Sequence, residues 1–510
     1  MSASDKPRST RGPQKGRSQG SRPQTRRTTS DPAREVAFDV VRQVEDSDAY
    51  ANLVLPAMLR ERRGHPNAMT ERDAAFATEL VYGTLRMRGF LEAVLAACVD
   101  RPLTELDPAV LDLLRLGAYQ LLQMRVPDHA AVAATVNLAR RVSTAGPAGL
   151  VNAVLRRVSE FDREQWVARV APPFDEDPLG HLTIAGSHPR WIVSAFREAL
   201  APREEPGSWE QTRALIVADN ERPSVTLVAR PGLASVDELL TIPGRRRGRW
   251  SPYAVVLESG PPWSIPQVRD GRVGVQDEGS QLVTIALTRV DVAQHGSGTD
   301  NRWLDLCAGP GGKAALLAGL AQPGVTQPGV TQSGVTQSGG AHLVANELHE
   351  HRAELVRQAL APYAGGREGD AHEVVVSDGT NPQWEKGSFD RVLVDVPCTG
   401  LGALRRRPES RWRRTPADLA TLGPLQRGLL RAALDSARPG GVVGYVTCSP
   451  HLAETELVVT DALRGRDDVH RLDARDYLGE VDDLGDGPDV RLWPHIHGTD
   501  GMYLALLRRT

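Results

Sequence analysis

The feature that most constrains this chain is a regular alternation over residues 271–510, in which short apolar runs end in glycine or acid and lead into amphipathic stretches. WLDLCAGPGGKAALLAGLA (303–321) reads as a buried strand, a glycine loop and a helix, and LVANELHEHRAELVRQAL (343–360) repeats the unit. VVVSDGT (374–380), FDRVLVDVPC (389–398) and GGVVGYVTCSP (440–450) are further strands, and the closing DVRLWPHIHGTDGMYLALLRR (489–509) reads as two strands joined by a loop. Continuous apolar strands joined by helices predict a parallel sheet covered on both faces, a Rossmann-like α/β domain. Ligands of such sheets bind where the strands end. A repeat, PGVTQ-PGVTQ-SGVTQ-SGG, interrupts the pattern; residues 322–340 are expected to form a flexible insertion.

The rest of the chain has a different texture. Over 31–162 the apolar spacing is helical throughout, with starts marked by Asp31–Pro32, Thr70 and Asp107–Pro108, which predicts an all-α domain. Residues 163–270 read as a small α+β unit: helices through HPRWIVSAFREAL and EQTRALIVADN, then strands PSVTLVAR and YAVVLESG. Its GRRRGRW segment (244–250) sets four arginines beside a tryptophan, which suits either RNA contact or a solvated loop. Residues 1–34 carry nine Lys/Arg against two acids while the whole chain sums to -3. The leader lacks apolar periodicity, so 1–30 is expected to be a disordered basic tail suited to a polyanion or to no specific partner.

Four cysteines without metal spacing argue against a disulfide scaffold and a zinc site and fit a reducing cytoplasm. No apolar run approaches the roughly 18 residues of a membrane span, and no apolar segment follows the basic N-terminus as in a secretory signal.

DLCAGPGGK (305–313) occupies a strand-to-helix turn, where glycines let a backbone approach a ligand. A phosphate-binding P-loop fails, because Cys307 stands at its first glycine and Ala314 follows the lysine. A dinucleotide fingerprint is formally met by Gly309, Gly311 and Ala314, but alone it is weak. The third class is S-adenosylmethionine (SAM), with Glu347 ending the second strand toward the ribose hydroxyls and Asp378 ending the third, toward the adenine. Lys313 is one of only 4 lysines among 61 basic residues, which hints at a specific need for it.

Cys307, Cys398 and Cys448 all end strands of this domain, and Asp395 stands three residues before Cys398. A thiolate beside a methyl donor suits cytosine: adding it to ring carbon 6 makes carbon 5 nucleophilic. A carboxyl group near ring nitrogen 3 would assist the addition. Residue types alone do not rank the two thiols of Cys398 and Cys448.

DLCAGPGGK, DVPCTGLG (395–402), YVTCSPHLAETE (445–456) and HGTDGMYLALL (497–507) together resemble the motifs of RNA cytosine-5 methyltransferases. RDAAFATELVYGTLR (72–86) and GLVNAVLRRV (149–158) resemble the NusB fold, and VQDEGSQL (275–282) resembles the strip before the catalytic core. The chain is thereby similar to the RsmB-type (Fmu/Sun) methyltransferases of bacterial 16S ribosomal RNA. That resemblance implies SAM as cofactor, RNA as partner, Cys448 as nucleophile and Cys398 as the residue assisting release. It implies cofactor contacts from Cys307, Ala308, Gly309, Pro310, Gly311, Gly312, Lys313, Glu347, Asp378 and Asp395. Lys313 and Asp395 would also face the target base. Arg405, Arg406, Arg407, Arg411 and Trp412, in RRRPESRWRR (405–414), would face RNA. Glu347 replaces the family's more usual aspartate, and Thr399 its serine. A transfer-RNA substrate, or a catalytically silent RNA-binding assembly factor, are the alternatives.

Overall fold

The computed structural model describes residues 31–63, 69–142, 145–201, 207–292, 300–325, 340–364 and 372–510. The basic leader (1–30) and most of the repeat insertion (326–339) lie outside the described residues.

The N-terminal third is helical: Pro32–Ser47, Ala51–Arg63, Glu71–Arg86, Arg88–Cys98, Pro108–Leu122, Asp128–Val142 and Ala145–Val158. The expected caps form. Asp31 accepts from the Arg34 amide, Thr70 and Asp73 make a reciprocal capping box, and Asp107 accepts from the Ala109 amide. Pro108–Leu122 is buried almost continuously from Val110 to Gln120, so its neighbours pack around it through Val40, Val81, Leu91 and Leu155.

The middle region has two cores rather than one. The helices Arg163–Val170, Pro178–Ala185, Arg190–Leu200 and Trp209–Asn220 gather Leu182, Ile192, Phe196 and Leu215 around Leu401, Leu404 and Trp493 of the last third. The second core underlies a four-stranded antiparallel sheet: β1 (Val225–Ala229), β2 (Arg245–Arg247), β3 (Ala254–Leu257) and β4 (Val273–Val275), ordered β2-β3-β1-β4. Strand β4 carries this sheet past the expected boundary at 270. The GRRRGRW segment is its edge strand and the turn after it, with Arg247 paired to Asp237 and the Trp250 indole donating to the His497 carbonyl.

The last third holds the larger sheet: β5 (Arg302–Asp305), β6 (His342–Glu347), β7 (His372–Val376), β8 (Phe389–Asp395), β9 (Ala437–Thr447), β10 (Val469–Leu472), β11 (Val490–Leu492) and β12 (Met502–Arg509). Its order is β10-β12-β9-β8-β5-β6-β7, with β11 beside β12. The five strands β5 to β9 pair in parallel, as expected. The remainder corrects the all-parallel reading. Strand β12 returns from β11 through a short connection rather than a helical crossover, so it runs antiparallel to β11, β9 and β10. No described helix is long and apolar enough to cross a membrane.

Candidate active site

The carboxyl ends of β5, β6, β8 and β9 converge on one edge. After β5 the loop turns at Gly311, whose φ of 105° suits glycine, and the helix Gly312–Leu320 begins with Lys313 in its first turn. Gly309 lies against the end of β6: a Cβ there would sit 2.2 Å from Glu347 Oε2. The Glu347 carboxylate accepts from the amides of Gly309 (3.1 Å) and His349 (3.1 Å), and Arg352 closes the loop from outside by donating to the Gly309 carbonyl at 2.7 Å. Glutamate at this place therefore reaches back to brace the loop. Asp378 follows β7, exposed, and its carboxylate accepts from the Thr380 amide and hydroxyl.

Lys313 and Asp395 meet at 2.8 Å. Burial pulls the lysine ammonium down, but Asp395, Cys448 and Asp305 more than offset it, so the net displacement is upward and the amine stays charged. Asp305 lies beneath this pair, 1% exposed, with Oδ1 unpartnered, and burial plus the Asp395 charge push it up to about 7.

The two strand-end thiols meet here as well, Cys398 Sγ to Cys448 Sγ at 3.3 Å. Their environments separate them. The hydrogen bond from Cys398 holds Cys448 below the ordinary thiol range despite burial and Asp395, with Lys313 and Arg407 acting in the same direction. The same bond, then burial and Glu454, drive Cys398 well above that range. Burial and three nearby carboxylates also raise Cys307, which keeps it a thiol. Thus Cys448 is the stronger thiolate candidate.

Sequence reading overlooked the groups that hold this edge in shape. Glu454, fully buried, accepts from the Thr399 amide at 2.8 Å, from its hydroxyl, and from Gln426, fixing the residue after Cys398. Asn346 donates to the carbonyls of Leu306 and Ser377, tying three strand ends together. Both residues lay in quoted stretches, but a buried acid or amide carries no distinctive spacing.

The arginine strip needs correction. Arg405 and Arg406 bind Asp277 and Asp500 at 2.7 to 3.2 Å, joining the VQDEGSQL strip, the HGTDGM turn and the loop after Cys398. Arg411 is 0% exposed and donates to the carbonyls of Arg86, Ser187 and Asp219 and to Asn220 Oδ1. Trp412 lies against Gly89, under the Arg88 guanidinium. Arg405 and Arg406 thus tie segments of the last third together, Arg411 and Trp412 fasten it to the other domains, and Arg407 is the one of the five left exposed, over the Tyr50 ring at 5.2 Å.

The family model described as 16S rRNA methyltransferase RsmB/F matches residues 296–508, and the NusB family model matches 31–160. A putative methyltransferase of Mycobacterium tuberculosis (strain H37Rv) is 50% identical over 485 residues, 95% of this chain and 98% of that protein. The ribosomal RNA small subunit methyltransferase B of Klebsiella pneumoniae is 30% identical over 424 residues, covering 82% of this chain and 86% of the relative. The chain belongs to the RsmB/F methyltransferase family. The crystal structure of PH0851 shares the fold, with a TM-score of 0.72 at 18% identity, over 94% of this chain and 99% of that one.

As an RsmB/F member the chain is a SAM-dependent RNA methyltransferase. The edge fits the cofactor: a glycine loop stripped of side chains at Gly309, backed by a carboxylate ending the neighbouring strand, presents backbone amides and an acceptor together.

Proposed function

We propose that this protein methylates carbon 5 of a cytidine in 16S ribosomal RNA through a covalent bond between Cys448 and ring carbon 6. The observation that carries the reading is the 3.3 Å thiol pair beside the Lys313–Asp395 pair, at the edge where the cofactor loop turns. Bound SAM supplies the methyl group as an electrophile. Residues 307–313, Glu347, Asp378 and Asp395 would hold it.

Cys448 is the nucleophile because its neighbours favour the thiolate. Its Sγ bonds to carbon 6, the electrons of the 5,6 double bond move to carbon 5, and carbon 5 takes the methyl group as the methyl–sulfur bond breaks and the donor sulfur leaves as a neutral thioether. Lys313 and Asp395 share a proton, which the Asp395 carboxyl presents to ring nitrogen 3 as negative charge develops there. Loss of the carbon 5 proton to water restores the 5,6 double bond and expels the Cys448 thiolate, while nitrogen 3 returns its proton to the Lys313–Asp395 pair. Cys398 assists that release, since its thiol lies against the departing sulfur.

The test compares Cys448→Ala and Cys398→Ala on 16S ribosomal RNA with methyl-labelled SAM and a denaturing gel. Transfer should vanish in the first variant, and a protein–RNA adduct should accumulate in the second. Reversal of the two outcomes would exchange the thiols' roles; full activity in both would remove the covalent mechanism. Transfer to transfer RNA in preference to 16S RNA would reject the substrate assignment alone.

A further inference from the structure

Apart from the thiol edge, with which it shares no lining residue, a cleft of about 640 Å³ opens between the helical N-terminal domain and the helices of 163–220. Arg86, Arg163, Arg213 and Arg222 line it. Arg86 gives the cleft its character. It is 4% exposed, its Nε has no hydrogen-bond partner, and among the described residues no carboxylate stands within ion-pair distance of it. A buried guanidinium without a counter-charge is strongly unfavourable unless something anionic joins it.

The nearby acids act on Arg86 only beyond ion-pair distance, Glu79 among them. Glu79 is engaged by the Tyr119 hydroxyl at 2.6 Å. Glu164 and Glu221 line the cleft without pairing to any of its arginines. Arg163 and Arg213 rest over the rings of Phe90 and Phe174, at 5.9 and 5.5 Å, which orients their guanidinium groups without neutralising them. Behind the wall, buried Arg411 adds another cation, bonded to the Arg86 carbonyl and to Asn220, itself a lining residue. Burial and Arg222 both disfavour the charge on Arg86, against Tyr119 and Glu79.

We propose that this cleft binds a phosphate group, and that the group is a phosphodiester of the RNA substrate, held outside the pocket of the methylated base. Guanidinium forks match phosphate oxygens in bidentate fashion. The volume accommodates the flanking sugars as well as the phosphate, more than an inorganic ion requires. The RNA part rests on membership of an RNA methyltransferase family, whereas the phosphate part rests on the arginines alone.

The experiment measures binding of the full chain to a 16S transcript over a salt series, for the wild type, Arg222→Gln and Arg86→Met. Arg222 is exposed, so its variant tests the site without disturbing packing. Each substitution should lower the slope of log affinity against log salt by about 1. Arg86→Met should also raise the melting temperature without RNA, because it removes an unpaired buried charge. An unchanged salt slope, with inorganic phosphate protecting the wild type but not the variants from heat at matched ionic strength, would overturn the RNA assignment in favour of a small phosphate ligand. No effect in either arm would overturn the site. These binding readings do not depend on which base is methylated, so they fail separately from the cytidine mechanism.

Discussion

The reactivity of the thiols is decided by single hydrogen bonds. Cys448 and Cys398 share similar burial at the same sheet edge, yet one is pushed toward the thiolate and the other away from it by the bond between them. Iodoacetamide at pH 7 should therefore alkylate Cys448 first, read by peptide mass spectrometry. Cys98, buried and pushed up to about 11, should react more slowly than Cys448. Cys398→Ala removes the largest cause of the shift in Cys448, so labelling of Cys448 should slow in that variant. Equal or faster labelling would mean that Lys313 and Arg407 alone set its reactivity.

At the scale of elements, the loop after β8 is tied on both sides. Gly402 donates to the Cys448 carbonyl at 2.8 Å and accepts from the Gly501 amide at 2.7 Å, so it links the two thiol-bearing segments to the turn before β12. A Cβ at Gly402 would lie 2.0 Å from the Gly501 carbonyl oxygen, a backbone atom that cannot swing aside. Gly402→Ala should displace Cys398 from Cys448 and reduce methyl transfer by about 10²-fold, the scale expected of a misplacement near 1 Å. Binding of SAM, measured by calorimetry, should change little, because the atoms nearest a Cβ at Gly402 belong to Gly501 and Cys448 rather than to the 307–313 loop. Wild-type turnover in this variant would show that the loop tolerates the shift.

For the whole molecule the decisive contact is Arg411, which carries the catalytic domain into the junction of the two helical bodies. Arg411→Met should cost about 3–5 kcal/mol, because it leaves carbonyls unpaired and the Asp219 carboxylate buried without a cation. A lowered or split calorimetric transition would report it; an unchanged scan would mean that burying the guanidinium costs as much as its bonds return. His188, at the same junction, is fully buried and held down to about 4 by burial and Arg411. Its unfolded form takes up a proton near 6.5 while the folded form stays neutral, so stability falls as pH drops from about 6.5 to about 4, by about 3 kcal/mol at most. Asp305, raised to about 7, works in the opposite sense: its share of stability falls as pH rises from about 4 to about 7. Comparing His188→Gln with the wild type isolates the histidine, and the variant should lose less stability over the acid window. Parallel melting curves would contradict the assignment.

Local chemistry was legible in the sequence because it is periodic or contiguous. The caps at Asp31, Thr70 and Asp107, the parallel core β5 to β9, the glycine loop and the convergence of Lys313, Asp395, Cys398 and Cys448 follow from apolar period and from where strands end. The family motifs were legible for the same reason. What only the tertiary structure decided is which charges face solvent and which are consumed inside. RRRPESRWRR reads as an exposed basic strip, but Asp277 and Asp500, more than ninety residues away on either side, take up Arg405 and Arg406, and carbonyls of two other domains take up Arg411. Burial and pairing of a charge depend on partners distant in the chain, so arginine composition alone could not distinguish a fastener from an RNA contact.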